Sequence, residues 1–135
     1  MHPPSFLASS LYVALGGGLG AWLRHVVGRL WIAAIGPTGA TAFPFATLSV
    51  NVIGSLLMGV LAGVLSRHAH GGESWRLLLG VGVLGGFTTF SAFSLELTVM
   101  IQRGAQGMAL AYALGSVLAG VAGLVGGLAL AKALA

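Results

Sequence analysis

Four long runs of apolar residues, separated by short connections, fill most of the sequence. Three runs are uncharged for at least 18 residues, and the third in chain order carries Glu96 as its only charge. A helix needs about 20 mostly apolar residues to cross about 30 Å of hydrocarbon. Because no run shows the polar alternation of barrel strands, the pattern predicts four transmembrane helices in a single all-α domain over residues 1–135. Their approximate spans are 6–31, 44–65, 76–101 and 108–132.

Glycine and proline mark the predicted connections. Before the second span they are Gly36, Pro37 and Gly39, and before the fourth they are Gly104 and Gly107. The middle connection, 66–74, also contains His68 and His70. Two histidines with no third ligand nearby do not make a metal site, so we expect a solvated loop there.

The composition supports a membrane location. Apolar residues make up 57% of the chain and charged residues 6%, whereas ordinary soluble domains carry about 25% charged residues. With no cysteine and no aspartate, the chain has neither a disulfide framework nor a Ser-His-Asp set. We therefore expect a multi-pass protein of the cell inner (plasma) membrane and not an enzyme. The six basic residues are dispersed and form no patch for nucleic acid.

Lysine and arginine divide equally between the two sides of the predicted bundle. One side carries Arg67, Arg76 and Lys132, and the other carries Arg24, Arg29 and Arg103. Membrane proteins are normally oriented by an excess of basic residues in short cytoplasmic loops, and this chain has no such excess. We expect insertion in both orientations and pairing as an antiparallel homodimer. The alternative is that another feature fixes one orientation.

Glycines four residues apart occur in every predicted span. The pairs are Gly16 with Gly20, Gly59 with Gly63, Gly82 with Gly86, and Gly123 with Gly127. This spacing puts both glycines on one helix face, where backbones can approach closely in lipid. We therefore expect tight helix packing.

Polar residues form a stripe on two of the spans. In the second span the stripe is Thr47, Asn51 and Ser55, and in the fourth it is Tyr112 and Ser116, followed by Gly120. Such stripes either join helices by hydrogen bonds or line a pathway. Because the members can donate hydrogen bonds and include no carboxylate, the pattern favours a pathway for an anion.

The third span contains a group of poor helix formers. Gly85 and Gly86 are followed by Phe87, Thr88 and Thr89, so the helix is expected to break near its centre. Carbonyl groups freed by such a break need a neighbour or an ion as partner. After the break, Phe90 and Phe93 share a helix face, and the positive edges of their rings can attract an anion.

These residues resemble the Fluc (CrcB-type) fluoride channels over nearly the whole chain. The resemblance rests on GGLGAWLR at 17–24, on the polar stripe at 47–54, and on the long, specific motif GGFTTFSAFSLE at 85–96. It implies an antiparallel, dual-topology homodimer of four-helix subunits. It also implies passive export of fluoride from the cytoplasm through two pores, each lined by both subunits. A structural sodium ion at the dimer centre is implied as well.

Position by position, the resemblance implies a role for individual residues. Phe90 and Phe93 would contact fluoride with their ring edges, and Asn51 would donate an amide hydrogen beside them. The pathway would also include Thr47, Ser91, Tyr112 and Ser116, with Arg24 and Glu96 at the vestibule and the backbone carbonyls of Gly85 and Thr88 holding sodium. Ala92 and Gly120 stand where some related channels have hydroxyl residues, so the outer end of the polar track departs from the family pattern.

Two other function classes fit parts of the sequence. A small dual-topology multidrug exporter would use an intramembrane glutamate for proton exchange, and Glu96 is the only candidate. Glu96 lies seven residues, or about 10 Å, from the middle of its span, so we expect it near the membrane interface, where it can reach water. A non-transporting assembly subunit would need only the glycine pairs.

Overall fold

The computed structural model describes residues 4–67 and 72–134 as an all-helical chain. The helices are α1 (Phe6–Ala42), α2 (Phe45–Leu65), α3 (Gly72–Trp75), a π-helical segment (Arg76–Leu84), α4 (Gly85–Phe87), α5 (Phe90–Gln102) and α6 (Gln106–Ala133). Within the described ranges, four helical stretches are long and apolar enough to cross a membrane: Phe6–Ala42, Phe45–Leu65, Gly72–Gln102 and Gln106–Ala133. The prediction of four spans is confirmed. His68 and His70 lie outside the described residues.

Helix α1 is longer than the sequence predicts. It ends at Ala42 and not near residue 31, with one interruption at Gly36, whose φ of 74° and ψ of 166° are not helical. Helical geometry resumes at Pro37, because the fixed φ and missing N–H of proline suit the first turn of a helix. The connection predicted at Gly36, Pro37 and Gly39 is thus corrected to a break at Gly36 alone. The link to α2 consists of Phe43 and Pro44.

The third span breaks where the sequence predicts. Thr88 (φ −81°, ψ 161°) and Thr89 (φ −153°, ψ 127°) are extended and separate α4 from α5. Thr89 caps α5, its hydroxyl oxygen accepting the Ala92 N–H at 3.3 Å. Upstream, the nine residues Arg76–Leu84 form a π-helix, a rare conformation that is frequent at functional sites. The third span is therefore bent and irregular around its centre.

Glycines bring the helices into direct backbone contact. A Cβ atom on Gly20 would overlap the carbonyl oxygen of Val83, and one on Gly59 would overlap that of Leu124. These two glycines join α1 to the π-helical segment and α2 to α6. The most extensive of the helix contacts is that between α2 and α6. The glycine pairs thus provide the close packing expected of them in lipid.

A small core surrounds Tyr112, which is 1% exposed. Met100 and Ala109 complete its buried cluster, with Phe43 and Phe93 packed against it. Much of the remaining surface is apolar and exposed, as for Leu118 on α6. The core thus lies between α5 and α6, beside the break in the third span.

Candidate functional site

The break in the third span opens onto a cavity of about 330 Å³, which we call the central cavity. It brings together the predicted residues Asn51, Phe90, Phe93 and Ser116, together with Thr88, Thr89 and Gly120. None of the residues that line it is charged. The two polar stripes and the third-span motif thus meet in one place, and hydrogen-bond donors and aromatic rings set its chemistry.

Asn51 joins α2 to the broken backbone. Its Nδ2 donates to the Thr89 carbonyl at 3.0 Å, and its Oδ1 accepts the Thr89 N–H at 2.8 Å. An amide side chain has two N–H donors, and this pairing uses one of them. The side chain is therefore fixed at the cavity wall with a second donor.

The break also redirects the hydrogen bonds of the two predicted sodium ligands. In a continuous helix the Thr89 N–H would donate to the Gly85 carbonyl, and the Ala92 N–H to the Thr88 carbonyl. Here Thr89 N–H donates to Asn51 and Ala92 N–H to the Thr89 hydroxyl. Both carbonyls thus lose their regular helical donor, which fits a role in binding a cation through backbone oxygens.

The two phenylalanines lie beside each other at the cavity. The ring centroids of Phe90 and Phe93 are 5.8 Å apart with planes at 37°. Phe90 is 77% exposed, whereas Phe93 is half-buried with its centroid 5.1 Å from that of Tyr112. Ser91 is exposed, and its Oγ lies 3.4 Å from the Thr89 hydroxyl oxygen. Phe90 therefore lies at the open side of the cavity, and Phe93 lies at its inner side, next to the core.

Ser116 presents a hydroxyl group without a full set of partners. Among the described residues, its Oγ is the one buried side-chain polar atom with no hydrogen bond. A buried polar group left unsatisfied costs about 1–3 kcal/mol. Because Ser116 lines the central cavity, its free hydrogen-bonding capacity points to a ligand or water there.

A second group of polar side chains, the Glu96 cluster, joins α2, α5 and α6 through Thr47, Glu96 and Tyr112, which are not among the residues that line the central cavity. The Thr47 hydroxyl donates to Glu96 Oε1 at 2.6 Å, and the Tyr112 hydroxyl donates to Oε2 at 2.7 Å. Glu96 is half-buried and Thr47 is buried. The position of Glu96 in its span predicts access to water near the membrane interface and gives no indication of either hydrogen bond. A carboxylate within a span requires donors, so the sequence indicates that Glu96 has partners, but helix rotation and packing decide which hydroxyls they are.

The two predicted vestibule residues line different cavities. Arg24 lines one of about 350 Å³, the Arg24 cavity, with His25, Thr47, Thr89 and Ala92. Glu96 lines another of about 270 Å³, the Arg103 cavity, with Arg103, Thr41 and Pro44. The hydrogen bond from Thr47 to Glu96 lies where the two cavities approach each other.

Side-chain clusters of the kind that hold metals are not found in the described ranges, where no three His, Cys, Asp or Glu residues come together. The predicted sodium site uses backbone carbonyl oxygens, and such hard oxygen ligands suit ions of the alkali and alkaline-earth groups better than transition metals.

The sequence matches a protein-family model and several curated relatives. The model, described as CrcB-like protein, Camphor Resistance (CrcB), covers residues 11–128. A protein of Novosphingobium aromaticivorans named Fluoride-specific ion channel FluC is 57% identical over 129 residues, which are 96% of this chain and 100% of that protein. A protein of the same name from Erythrobacter litoralis is 51% identical over 131 residues, covering 96% and 95% of the two chains.

Proposed function

The chain belongs to the CrcB-like family of membrane proteins, and we propose that it is a passive ion channel selective for fluoride. The relatives named as fluoride-specific channels match nearly its full length. The observation that carries the proposal is the central cavity, where the Asn51 amide, the buried Ser116 hydroxyl and the Phe90 and Phe93 rings meet without a charged residue.

These groups suit the ion. Fluoride is small and strongly hydrated, so it crosses hydrocarbon only where donors replace its water. The second N–H of Asn51, the Ser116 hydroxyl and the positive ring edges of the phenylalanines supply such contacts. None of them is a fixed cation that would hold the ion too tightly to release it. Fluoride would thus leave the cytoplasm down its electrochemical gradient, and no residue acts as a catalyst.

The proposed assembly is an antiparallel homodimer in the inner membrane, with two pores, each lined by both subunits. The equal division of basic residues between the two sides supports insertion in both orientations. The 77% exposure of Phe90, a residue bordering the central cavity, supports a second subunit that covers it. A twofold axis would then produce two equivalent pores.

We assign the proposed sodium site to the carbonyls of Gly85 and Thr88. Both have lost their regular helical donors at the break, and Gly85 is exposed in the single chain, as a site shared across a dimer requires. A bound sodium ion would supply positive charge and fix the backbone of the break. The side chains of Asn51 and Thr89 hold that backbone from within the subunit.

A proton-coupled exporter using Glu96 is the less favoured function. Both carboxylate oxygens of Glu96 accept hydrogen bonds from hydroxyls, so the group is engaged in the Glu96 cluster. An exporter needs a carboxylate that a proton and a cationic drug bind in turn. Proton flux driven by a cationic drug in liposomes, lost in Glu96→Gln, would be the mark of such an exporter.

The direct test is fluoride efflux from liposomes that contain the purified protein. We expect efflux that a fluoride electrode detects on dissipating the membrane potential, with chloride retained in parallel liposomes. Liposomes made without protein give the background rate. Equal fluoride and chloride rates, or fluoride rates at background, would overturn the proposal.

A further inference from the structure

The Arg103 cavity contains Glu96, which the family resemblance places at a vestibule, but its other charged residue, Arg103, has no part in the function proposed so far. The cavity lies between the C-terminal ends of α1 and α5 and is lined by Thr41, Pro44, Glu96 and Arg103. Glu96 and Arg103 are seven residues apart in sequence, which corresponds to two helical turns minus a rotation of about 20°. The two residues therefore share one helix face and lie about 10 Å apart along the helix axis. Arg103 is exposed, whereas Glu96 is half-buried. The cavity therefore runs inward from a cationic outer end.

The backbone fixes Arg103 at that end. Arg103 is the C-cap residue directly after α5 and is followed by Gly104, which has a φ of 77°. Gly104 N–H donates to Ile101 O at 3.0 Å, and Ala105 N–H donates to Met100 O at 2.9 Å, the pair of bonds that defines a Schellman motif. The Arg103 guanidinium reaches across to the Thr41 carbonyl, at 3.4 Å. It is thus held over the gap between α1 and α5.

The inner end of the cavity connects with the polar groups of the central site. Glu96 accepts hydrogen bonds from Thr47 and Tyr112. Tyr112 and Ser116 lie four residues apart on α6 and thus on the same helix face, and Ser116 lines the central cavity. Polar side chains on α2, α5 and α6 therefore extend from the Arg103 cavity toward the central cavity.

We propose that the Arg103 cavity is a mouth of the ion pathway and that Arg103 draws small hydrated anions into it. Glu96 alone would repel an anion there. Arg103 offsets that charge, so that the cavity is close to neutral and its outer end is positive. Because Arg103 is exposed to solvent, it attracts an anion weakly and releases it. The inference rests on the proposed channel function and identifies an entry separate from the Arg24 cavity.

The absence of cysteine from the chain allows a charge test at this one position. Arg103→Cys would be treated in detergent with a positively charged or a negatively charged methanethiosulfonate reagent and then reconstituted in liposomes. Lys132→Cys is the matched control, because Lys132 is an exposed basic residue at the far end of α6. Fluoride efflux is measured at low fluoride, where entry limits the rate.

We expect efflux to follow the charge at position 103. One unit charge about 4 Å from an ion in water changes its local concentration about fivefold. Arg103→Cys should therefore conduct about fivefold more slowly than the wild type at low fluoride. The positive reagent should restore most of the rate, and the negative reagent should lower it further. All differences should shrink in concentrated salt, where the Debye length falls. The Lys132→Cys protein should keep the wild-type rate with either reagent.

One charged and one uncharged variant of Arg103 separate its role in attracting anions from a structural role. Arg103→Lys keeps the charge, whereas Arg103→Gln keeps a donor for the Thr41 carbonyl. If the Arg103 cavity is a mouth of the pathway, Arg103→Lys should conduct fluoride at close to the wild-type rate, and Arg103→Gln should conduct it slowly. The reverse order, or equal rates for all variants beside a conducting wild type, would overturn the mouth and leave the channel proposal standing. A wild type that does not conduct fluoride would overturn both.

Discussion

Asn51 and Thr89 exchange two hydrogen bonds across the break in the third transmembrane segment, at 3.0 Å and 2.8 Å. One side chain thus substitutes for the helical bonds that the extended backbone at Thr88 and Thr89 cannot make. It also links that backbone to α2 at the wall of the central cavity. The support of the break and the lining of the proposed pathway therefore depend on the same residue.

Asn51→Asp should abolish fluoride efflux. The substitution places an acceptor opposite the Thr89 carbonyl in place of a donor, and it puts a negative charge in the cavity. A carboxylate about 4 Å from a passing anion raises its energy by about 4 kcal/mol at an effective dielectric constant of about 20, or about 1,000-fold in rate. Efflux from liposomes, compared with the wild type at equal protein density, measures the loss.

The control for Asn51→Asp is Gln106→Glu, which adds the same charge at the exposed first residue of α6. An acidic residue is favourable in the first turn of a helix, so this variant should fold and conduct normally. Wild-type efflux from Asn51→Asp would refute the role of Asn51. Loss of efflux in both variants would mean that added charge, and not its position, is responsible.

Tyr112→Phe should destabilise the protein by about 1–3 kcal/mol, because it leaves a half-buried carboxylate oxygen of Glu96 without its donor. The ring itself, 1% exposed, is retained, so packing changes little. Thermal unfolding in detergent, followed by loss of a monodisperse chromatographic peak, measures the effect. Tyr12→Phe in α1 removes a hydroxyl outside the Glu96 cluster and should unfold with the wild type. Equal shifts in both variants would count against the cluster.

The part of the candidate site that could be predicted consists of residues marked by a local pattern within one span. Asn51 stands in a stripe of period four, and Phe90 and Phe93 follow a group of poor helix formers, so the central cavity brings together residues already singled out. The Glu96 cluster could not be found this way. The cluster joins three spans. Whether Thr47, Glu96 and Tyr112 face one another depends on how the three helices are rotated and packed, and a single sequence gives no information on this.

The fold shows the same division between local and non-local information. Four spans follow from hydropathy, and the break at Thr88 follows from low helix propensity. The end of α1 does not, because Gly36 and Pro37 are typical both of a loop and of a helix interrupted and restarted. In this structure the helix restarts after Gly36 and continues to Ala42. The π-helical segment at Arg76–Leu84 had no sequence indication, and it lies in close contact with Gly16 and Gly20 of α1.

Gly20→Ala should be strongly destabilising. The added methyl group would overlap the Val83 carbonyl oxygen and approach the Phe87 nitrogen at 2.7 Å, and backbone atoms cannot move aside as a side chain can. Overpacking typically costs about 1–3 kcal/mol and occasionally more. Gly18→Ala is the control on the same helix, where no described residue lies within 4 Å of the new atom. That variant should match or slightly exceed wild-type stability in detergent, owing to the higher helix propensity of alanine.

Ser66→Cys should be labelled from both sides of the membrane in about equal amounts. Ser66 is exposed just after α2, its replacement leaves the balance of basic residues at three on each side, and the chain has no other cysteine. A membrane-impermeant maleimide applied to intact cells, and then to opened cells, measures the two fractions. Adding Gln106→Arg gives four basic residues to the side of Arg24, Arg29 and Arg103, which the positive-inside rule should turn toward the cytoplasm. Ser66 would then face outward, and the fraction labelled in intact cells should rise. Labelling of the Ser66→Cys protein from one side alone would mean a single orientation, and with it the antiparallel dimer would be excluded.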